Sequence, residues 1–309
     1  MIDAQLKIFV IVVTYKGMRW YDRCFTSLRN STIPIQTIVV DNASGDGSAE
    51  YIKENYPEII LMESKENLGF GKGNNLALKY AYEHGCDYVF LLNQDAWIEE
   101  SDMFEKLITL SIKHPDFGII SPIHLSADKK HINMALEHEN KKCSWQMLND
   151  LYCENTLNEI YETNYINAAG WLLPRNTLST LGGFDPLIFH YGEDDDYQNR
   201  ARFHGLKIGL CPNVRMVHDH EQRKLTDNSS KLLKKASIDE IAKLLDLNAP
   251  FEYHALRIYF LKMYVKSMIK RDNNAMKYAA YKYKYIKNKR VEIEYSRKMN
   301  AVKQPNWII

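Results

Sequence analysis

Lys7-Ile8-Phe9-Val10-Ile11-Val12-Val13 is a β-branched apolar run with no polar alternation, the pattern of a parallel strand covered on both faces. It ends at Thr14-Tyr15, where polar residues begin. Outward from it, a helix-like stretch runs from about Met18 to Asn30, followed by Pro34 and a second strand over Gln36 to Val40. That strand empties into Asp41-Asn42-Ala43-Ser44-Gly45-Asp46-Gly47-Ser48, whose glycines predict a turn and whose Ser48 can cap the next helix. A third strand over Ile59 to Met62 leads to Asn67-Leu68-Gly69-Phe70-Gly71-Lys72-Gly73-Asn74-Asn75, then an Ala/Leu helix and a fourth strand over Tyr88 to Leu92. The order βαβαβαβ predicts an α/β fold with a doubly wound, parallel sheet, in which ligands bind at the carboxyl ends of the strands.

Past residue 100 the pattern loosens. A helix near Asp102 to Lys113 and a strand over Phe117 to Ser121 precede a polar stretch, about 127–163, without a readable period. Ile166 to Leu173 then reads as a strand, Pro174 as the first residue of a helix, and Gly182-Gly183-Phe184-Asp185 as its stop. A further helix runs from Asp194 to His204, ended by Gly205, before a strand over Lys207 to Leu210.

The chain of 309 residues with 45% hydrophobic content can bury a full core. No apolar stretch reaches the 18 or so residues of a membrane span, and the N-terminus lacks the zones of a signal peptide, so the expected address is the cytoplasm. Five scattered cysteines (Cys24, Cys86, Cys143, Cys153, Cys211) lack paired metal spacing and fit a reducing compartment. Charge is unevenly placed: residues 1–250 hold 26 basic and 35 acidic side chains, residues 251–309 hold 14 and 4. The chain thus divides into an acidic body, 1–250, and a basic, Tyr-rich helical tail, 251–309.

Polar clusters gather where strands end. Asp41, just past the second strand, can accept hydrogen bonds from the imide and ribose groups of a nucleotide, or can simply cap a turn. Gly69-x-Gly71 lacks the third glycine of a dinucleotide fingerprint, since position 74 is Asn, and it follows the third strand rather than the first. Asn93 and Asp95, leaving the buried run before them, can offer oxygen to a hard divalent ion, and His218 in Val217-His218-Asp219-His220 can join them or be a structural histidine. In Glu193-Asp194-Asp195-Asp196 the acidic run suits a helix N-terminus, yet one of its carboxylates could serve as a base.

These segments resemble, in order, the inverting glycosyltransferases of family 2, and their rhamnosyltransferase-like branch in particular. The resemblance rests on Val12-Val13-Thr14-Tyr15, Val39-Val40-Asp41-Asn42-x-Ser44, Asn67-x-Gly69, Leu91-Leu92-Asn93-x-Asp95, Gly182-Gly183-Phe184-Asp185, His218, and Gly192-Glu193-Asp194-x-Asp196 with Arg200, Arg202 and Gly205. It spans roughly residues 7–220. It implies a GT-A fold with a mostly parallel central sheet and a C-terminal helical appendage, split into a nucleotide-binding half up to about residue 96 and an acceptor-side half from 97 to 250. By the same resemblance Thr14, Tyr15, Asp41, Asn42, Ser44, Asn67, Gly69, Asn74 and Asn93 belong to the donor nucleotide site. Asp95, Asn93 and His218 would hold Mn²⁺ or Mg²⁺, Asp194 would be the general base, and Trp171 and Glu193 would face the acceptor or sugar. Many relatives carry Asp where this chain has Asn93, which removes a negative charge and predicts weaker metal binding.

The implied reaction is transfer of a sugar from a nucleotide-diphosphate sugar, dTDP-rhamnose or a UDP-hexose, to a hydroxyl of a saccharide or lipid-linked acceptor, in cell-surface polysaccharide synthesis. A nucleotidyltransferase would need a basic, Gly-rich triphosphate loop near the first strand, where this chain has Thr14-Tyr15-Lys16-Gly17. A non-catalytic scaffold would be expected to have lost Asp95, Asp194 or His218, and all are present. In the tail, Leu256, Tyr259, Phe260, Met263 and Ser267 recur at helical spacing with Lys262, Lys266 and Lys270 around them, and Tyr278, Tyr281 and Tyr285 repeat the theme. Such a helix can rest on the catalytic domain, on an anionic membrane surface, or on both, making the protein peripheral at the inner face of the membrane. No nucleic-acid motif accompanies the charge; a homodimer is a further expectation.

Overall fold

The computed structural model describes residues 6–132, 141–219 and 240–308. Its centre is a sheet in the order β3-β2-β1-β4-β8-β6-β9-β5, with β7 also paired to β9. The first four strands, β1 (Ile8–Thr14), β2 (Gln36–Asp41), β3 (Ile60–Glu63) and β4 (Tyr88–Asn93), are parallel. They alternate with helices α1 (Met18–Arg29), α2 (Ser48–Asn55) and α3 (Gly69–Glu83). Phe9 and Ile11 pack into a cluster with Ala77, Leu78 and Ala81 of α3, while Ile8, Val10 and Val12 pack with Tyr21, Phe25 and Leu28 of α1 on the opposite face. Both faces of β1 are therefore covered, which is why its sequence shows no alternation.

Beyond β4 the chain forms β5 (Ala96–Ile98), α4 (Met103–Lys113), β6 (Phe117–Leu125), α5 (Lys141–Tyr152), β7 (Tyr161–Glu162), β8 (Gly170–Pro174), α6 (Arg175–Leu181), α7 (Glu193–Phe203) and β9 (Lys207–His218). β8 runs antiparallel to β4 and β6, β9 runs parallel to β6, and β5 and β7 run antiparallel to β9. Part of the unreadable stretch 127–163 is thus α5 and β7; residues 133–140 lie outside the described residues.

Several expectations need correcting. Ile166, Ala168 and Ala169 are buried, but residues 166–169 are not strand: the Ile166 N–H bonds to the Gln198 side chain at 2.7 Å instead of to a neighbouring strand. Pro174 is extended (φ −62°, ψ 151°) and precedes the helix, which starts at Arg175. Gly47, with φ 88°, holds the N-cap of α2, and Ser48 begins the helix with its hydroxyl donating to Asp46 at 2.6 Å. The last strand reaches His218, well past Leu210.

The tail forms α8 (Tyr253–Ile269), α9 (Asn273–Asn288) and α10 (Arg290–Asn300). Tyr253, Phe260, Ile286 and Ile293 bury a cluster shared with Ile188, Ile241 and Leu245, so these helices pack on the body of the protein. Tyr259 and Tyr281, expected on the apolar faces, are 59% and 45% exposed. The terminal segment is also tied in: Gly183 N–H donates to the Asn306 carbonyl at 2.8 Å, and Ile308 joins the core cluster of Leu178 and Phe184. Among the described residues no helix is long and apolar enough to cross a membrane.

Candidate active site

Strand register gathers the site. Thr14 pairs with Asp41 and Val13 with Asn93, so the polar ends of β1, β2 and β4 lie side by side at the carboxyl edge of the sheet. The β5–β9 ladder places Ala96 opposite His218, and the Asp219 N–H donates to the Asp95 carbonyl at 2.8 Å. Residues more than a hundred positions apart thereby reach one rim.

At the end of β2, Asp41 is buried and its Oδ2 accepts from the Ser44 N–H at 3.2 Å, while its Oδ1 has no protein partner. A buried carboxylate oxygen is costly without a donor, and the open bonding position suits a nucleoside N–H or O–H. The Thr14 hydroxyl is buried and donates to the Val40 carbonyl at 3.3 Å, so it braces β1 against β2. Ser44 Oγ accepts from the Lys16 N–H at 3.0 Å, and Gln94 accepts from Tyr15 N–H at 2.9 Å and donates back to its carbonyl at 3.2 Å. These bonds fix the Tyr15–Gly17 loop; a Cβ on Gly17 would lie 2.0 Å from the Gln94 amide oxygen. Gln94 was not among the expected site residues.

Asn42 and Asn67 shape the next loop. Asn42 donates to Asn67 Oδ1 and to the Gly69 carbonyl, each at 3.2 Å, and accepts from Leu68 N–H at 2.7 Å. Gly69 has φ 79°, and a Cβ there would sit 2.0 Å from the Phe189 carbonyl oxygen, so this position brings the loop before α3 against the segment leading to α7. Asn74 is buried and donates to Phe70 within its own helix at 3.0 Å. Its neighbour Asn75 reaches across, donating to the Phe184 carbonyl at 2.8 Å and accepting from the Phe184 N–H at 2.7 Å.

At the rim, His218 is buried with Nε2 3.4 Å from Asp95 Oδ1 and 3.4 Å from Asn93 Nδ2. A carboxylate, an imidazole and a carboxamide thus converge. Asn93 assigned with its nitrogen toward His218 needs only a half-turn of the amide to present oxygen instead. Behind this group His124 is fully enclosed, 3.1 Å from the Ser121 hydroxyl, and burial followed by the proximity of His218 pushes its pKa down to about 3, so it stays neutral.

The opposing wall is the start of α7, entered through Tyr191 (φ 68°) and Gly192 (φ 91°). Asp194 is half-buried and accepts from the Tyr165 hydroxyl at 2.6 Å and from Asp195 N–H at 3.1 Å. Burial raises its pKa, with the Tyr165 bond foremost among the opposing effects. Gln198 bonds both the Asp194 carbonyl (2.9 Å) and the Ile166 N–H (2.7 Å), fastening the Tyr165 loop to α7. That loop continues to Ala169, whose carbonyl accepts from Asn93 N–H at 3.0 Å, so Asp194 and the metal-type rim are joined by one short segment.

Glu193 is 6% exposed, its Oε2 has no partner, and burial, then the Asp194 charge, push its pKa up to about 8. Asp196 points away from solvent and pairs with buried Arg200 at 2.8 Å, and Arg200 also donates to the Leu181 and Gly183 carbonyls at 2.8 and 2.9 Å. That part of the acidic run is scaffold. Trp171 is likewise fully buried, ringed by Phe184 and Tyr197; its position on the core face of β8 puts it beneath the site, not facing an acceptor.

Comparison with known proteins gives the family and the fold. The family model "Glycosyl transferase family 2" matches residues 9–174. The N-acetylglucosaminyl-diphospho-decaprenol L-rhamnosyltransferase of Mycobacterium tuberculosis is 24% identical over 245 residues, 72% of this chain and 79% of that protein. The dTDP-rhamnosyl transferase RfbF of Shigella flexneri is 19% identical over 212 residues, 68% of each chain. The mannosyltransferase PcManGT of Pyrobaculum calidifontis, solved with GDP-Man and Mn²⁺, superposes with a TM-score of 0.56 at 20% identity, covering 91% of this chain and 75% of that one. The fold is of the GT-A kind, a mixed sheet with mostly parallel strands and C-terminal helices.

Proposed function

The chain belongs to glycosyl transferase family 2, and from that premise we propose that it transfers a sugar from a nucleoside-diphosphate sugar to a hydroxyl of a saccharide or lipid-linked acceptor, with inversion, in the synthesis of a cell-surface polysaccharide. The similarity to rhamnosyltransferases favours rhamnose on dTDP, with a hexose on UDP as the other donor to be tested. The observation that carries the reading is the half-buried Asp194, set at a helix start and held by Tyr165, across a short segment from the Asn93–Asp95–His218 rim.

In this reading Asp194 takes the proton from an acceptor hydroxyl as that oxygen bonds to the sugar C1; the bond from C1 to the diphosphate oxygen breaks on the opposite face, and the nucleoside diphosphate leaves with the electron pair. Asp41 offers its unpartnered Oδ1 to the nucleoside. The donor set of Asp95, His218 and Asn93 fits a divalent cation such as Mn²⁺ or Mg²⁺ with substrate oxygens completing its shell. Bound there, the ion would offset charge on the departing diphosphate. Among the described residues no group of three or more His, Cys, Asp or Glu gathers as a metal cluster; the reading therefore relies on the Asn93 amide and on the donor phosphates.

The test is a thermal-shift panel of UDP, dTDP, GDP and CDP with and without Mn²⁺, on the intact protein and on Asp41→Ala and Asp95→Ala. Ligands that bind only the native state raise its melting temperature. One nucleotide should stabilise the protein, more so with Mn²⁺; Asp41→Ala should weaken the response and Asp95→Ala should abolish its metal dependence. No response to any nucleotide would overturn the reading.

A further inference from the structure

Helix α8 is apolar on two sides. One side, with Tyr253, Phe260 and Ser267 buried and Leu256 and Met263 beside them, packs on the protein. The other carries Ile258, Leu261, Val265, Met268 and Ile269, spaced three and four residues apart, and these stand exposed, Ile269 at 75% and Leu261 at 50%. Lys262, Lys266 and Lys270 follow along one flank, one helical turn apart, and their side chains line one shallow, almost wholly apolar groove with Leu261, Val265 and Ile269. A helix apolar on all sides is normally buried on all sides.

We propose that this face of α8 docks on an anionic lipid bilayer, its apolar ridge entering the interface and its lysines meeting the headgroup phosphates. The charge pattern selects this occupant. Residues 253–291 contain 11 basic residues and a single acidic one, Asp272, and that carboxylate is engaged in capping α9 through the Asn274 and Ala275 N–H groups. Pairing of α8 with α8 of a second copy would bring lysine against lysine, whereas an anionic surface is complementary along the whole hairpin. Lysine stems can lie along the apolar ridge while their charges stay at headgroup level.

The placement also bears on the catalytic site. Ile188 belongs to the same buried cluster as Tyr253 and Phe260, and the chain runs from Ile188 through Phe189 to Tyr191 into Glu193 and Asp194. Docking through α8 would therefore hold the acceptor side of the site close to the surface where a lipid-linked acceptor resides; this consequence rests on the function proposed above, but the docking itself does not.

The experiment is co-sedimentation of the full chain with phosphatidylcholine vesicles and with vesicles containing 30 mol% phosphatidylglycerol. Binding should be at least tenfold stronger to the anionic vesicles and largely lost in 0.5 M NaCl. The triple variant Lys262→Gln, Lys266→Gln, Lys270→Gln should lose most of that preference, and Leu261→Asp with Ile269→Asp should abolish binding at low salt, with unchanged circular dichroism and melting temperature. Equal binding to both vesicle types, no binding to either, or a dimer in sedimentation equilibrium that Leu261→Asp dissolves would each overturn the proposal. Because no turnover is read, failure here is distinct from failure of the glycosyltransferase reading.

Discussion

Tyr165 donates a 2.6 Å hydrogen bond from its hydroxyl to Oδ2 of Asp194. Burial raises the Asp194 pKa, and this bond, made to the charged form, is the largest effect pulling it back. A base must be ionised to accept a proton, so in the reaction proposed above Tyr165 would keep Asp194 competent toward lower pH. In Tyr165→Phe the acid limb of the kcat/KM profile should move to higher pH, with the loss of rate greatest at low pH and recovering on the alkaline side. Asp194→Asn should instead lose about 10²–10⁴-fold where the parent's carboxyl is ionised, the share of general-base catalysis, and lose the acid limb with it. A pH–rate profile of both variants decides the point: a uniform loss in Tyr165→Phe would mean the hydroxyl does something other than tune the base.

Glu193 yields a prediction about stability. Its carboxyl is pushed up to about 8 by burial first and by the Asp194 charge second, from an ordinary value of 4.5. Between these two values the folded protein holds a proton that the unfolded chain has released, so stability falls as pH rises through that window. Asp196, buried and pushed up to about 6, adds to the slope in the same direction. Glu193→Gln keeps the shape and a donor but removes the titration. Relative to the parent protein, its melting temperature should gain steadily between pH 5 and pH 8, by a few degrees at the upper end. A parent-minus-variant difference that stays flat with pH would show that Glu193 is ionised in the folded state.

The parallel half of the fold was legible because a strand covered on both faces needs consecutive apolar residues through its middle, and β1, β2 and β4 have them. The same signal misled at Ile166-Asn167-Ala168-Ala169, which is apolar because it is buried yet is bonded to a side chain of α7 instead of a strand. Asp41 and Asp95 stood out as polar residues leaving apolar runs, and Asp194 as part of an acidic run. The residues that brace the site did not, because each acts on a partner far away in sequence: Tyr165 on Asp194 over 29 positions, Gln94 on Tyr15 over 79, and Asn75 on Phe184 over 109. Asn74 and Asn75 are chemically the same, and only the turn of about 100° between successive helix positions separates the one bonded inside α3 from the one that reaches Phe184. Trp171 shows the reverse difficulty, since an aromatic residue near a site motif reads as a sugar platform until the pleat of β8 places it in the core.

The change of composition at residue 251 suggested an appendage, but the hydrogen bonds at the far end of the tail predict that it cannot be removed. Asp185, at the end of Gly182-Gly183-Phe184-Asp185, is buried; its Oδ1 accepts from the Ser296 hydroxyl at 3.1 Å and its Oδ2 from Asn300 Nδ2 at 2.8 Å, both from α10. Asp185→Ala would leave Ser296 and Asn300 buried without their acceptor, at about 1–3 kcal/mol for each stranded group. The expected result is a loss of about 2–5 kcal/mol in chemical denaturation, whereas Lys298→Ala, on the exposed side of the same helix, should stay within about 0.5 kcal/mol. Deleting residues 290–309 should be worse, because it also strips the Asn306 carbonyl from the Gly183 N–H and Ile308 from the core. Since that core surrounds the turn leading to Glu193 and Asp194, the truncated chain should be insoluble or lack nucleotide-induced stabilisation. A soluble truncation with the parent's melting temperature would show instead that the tail is held on the body without supporting it.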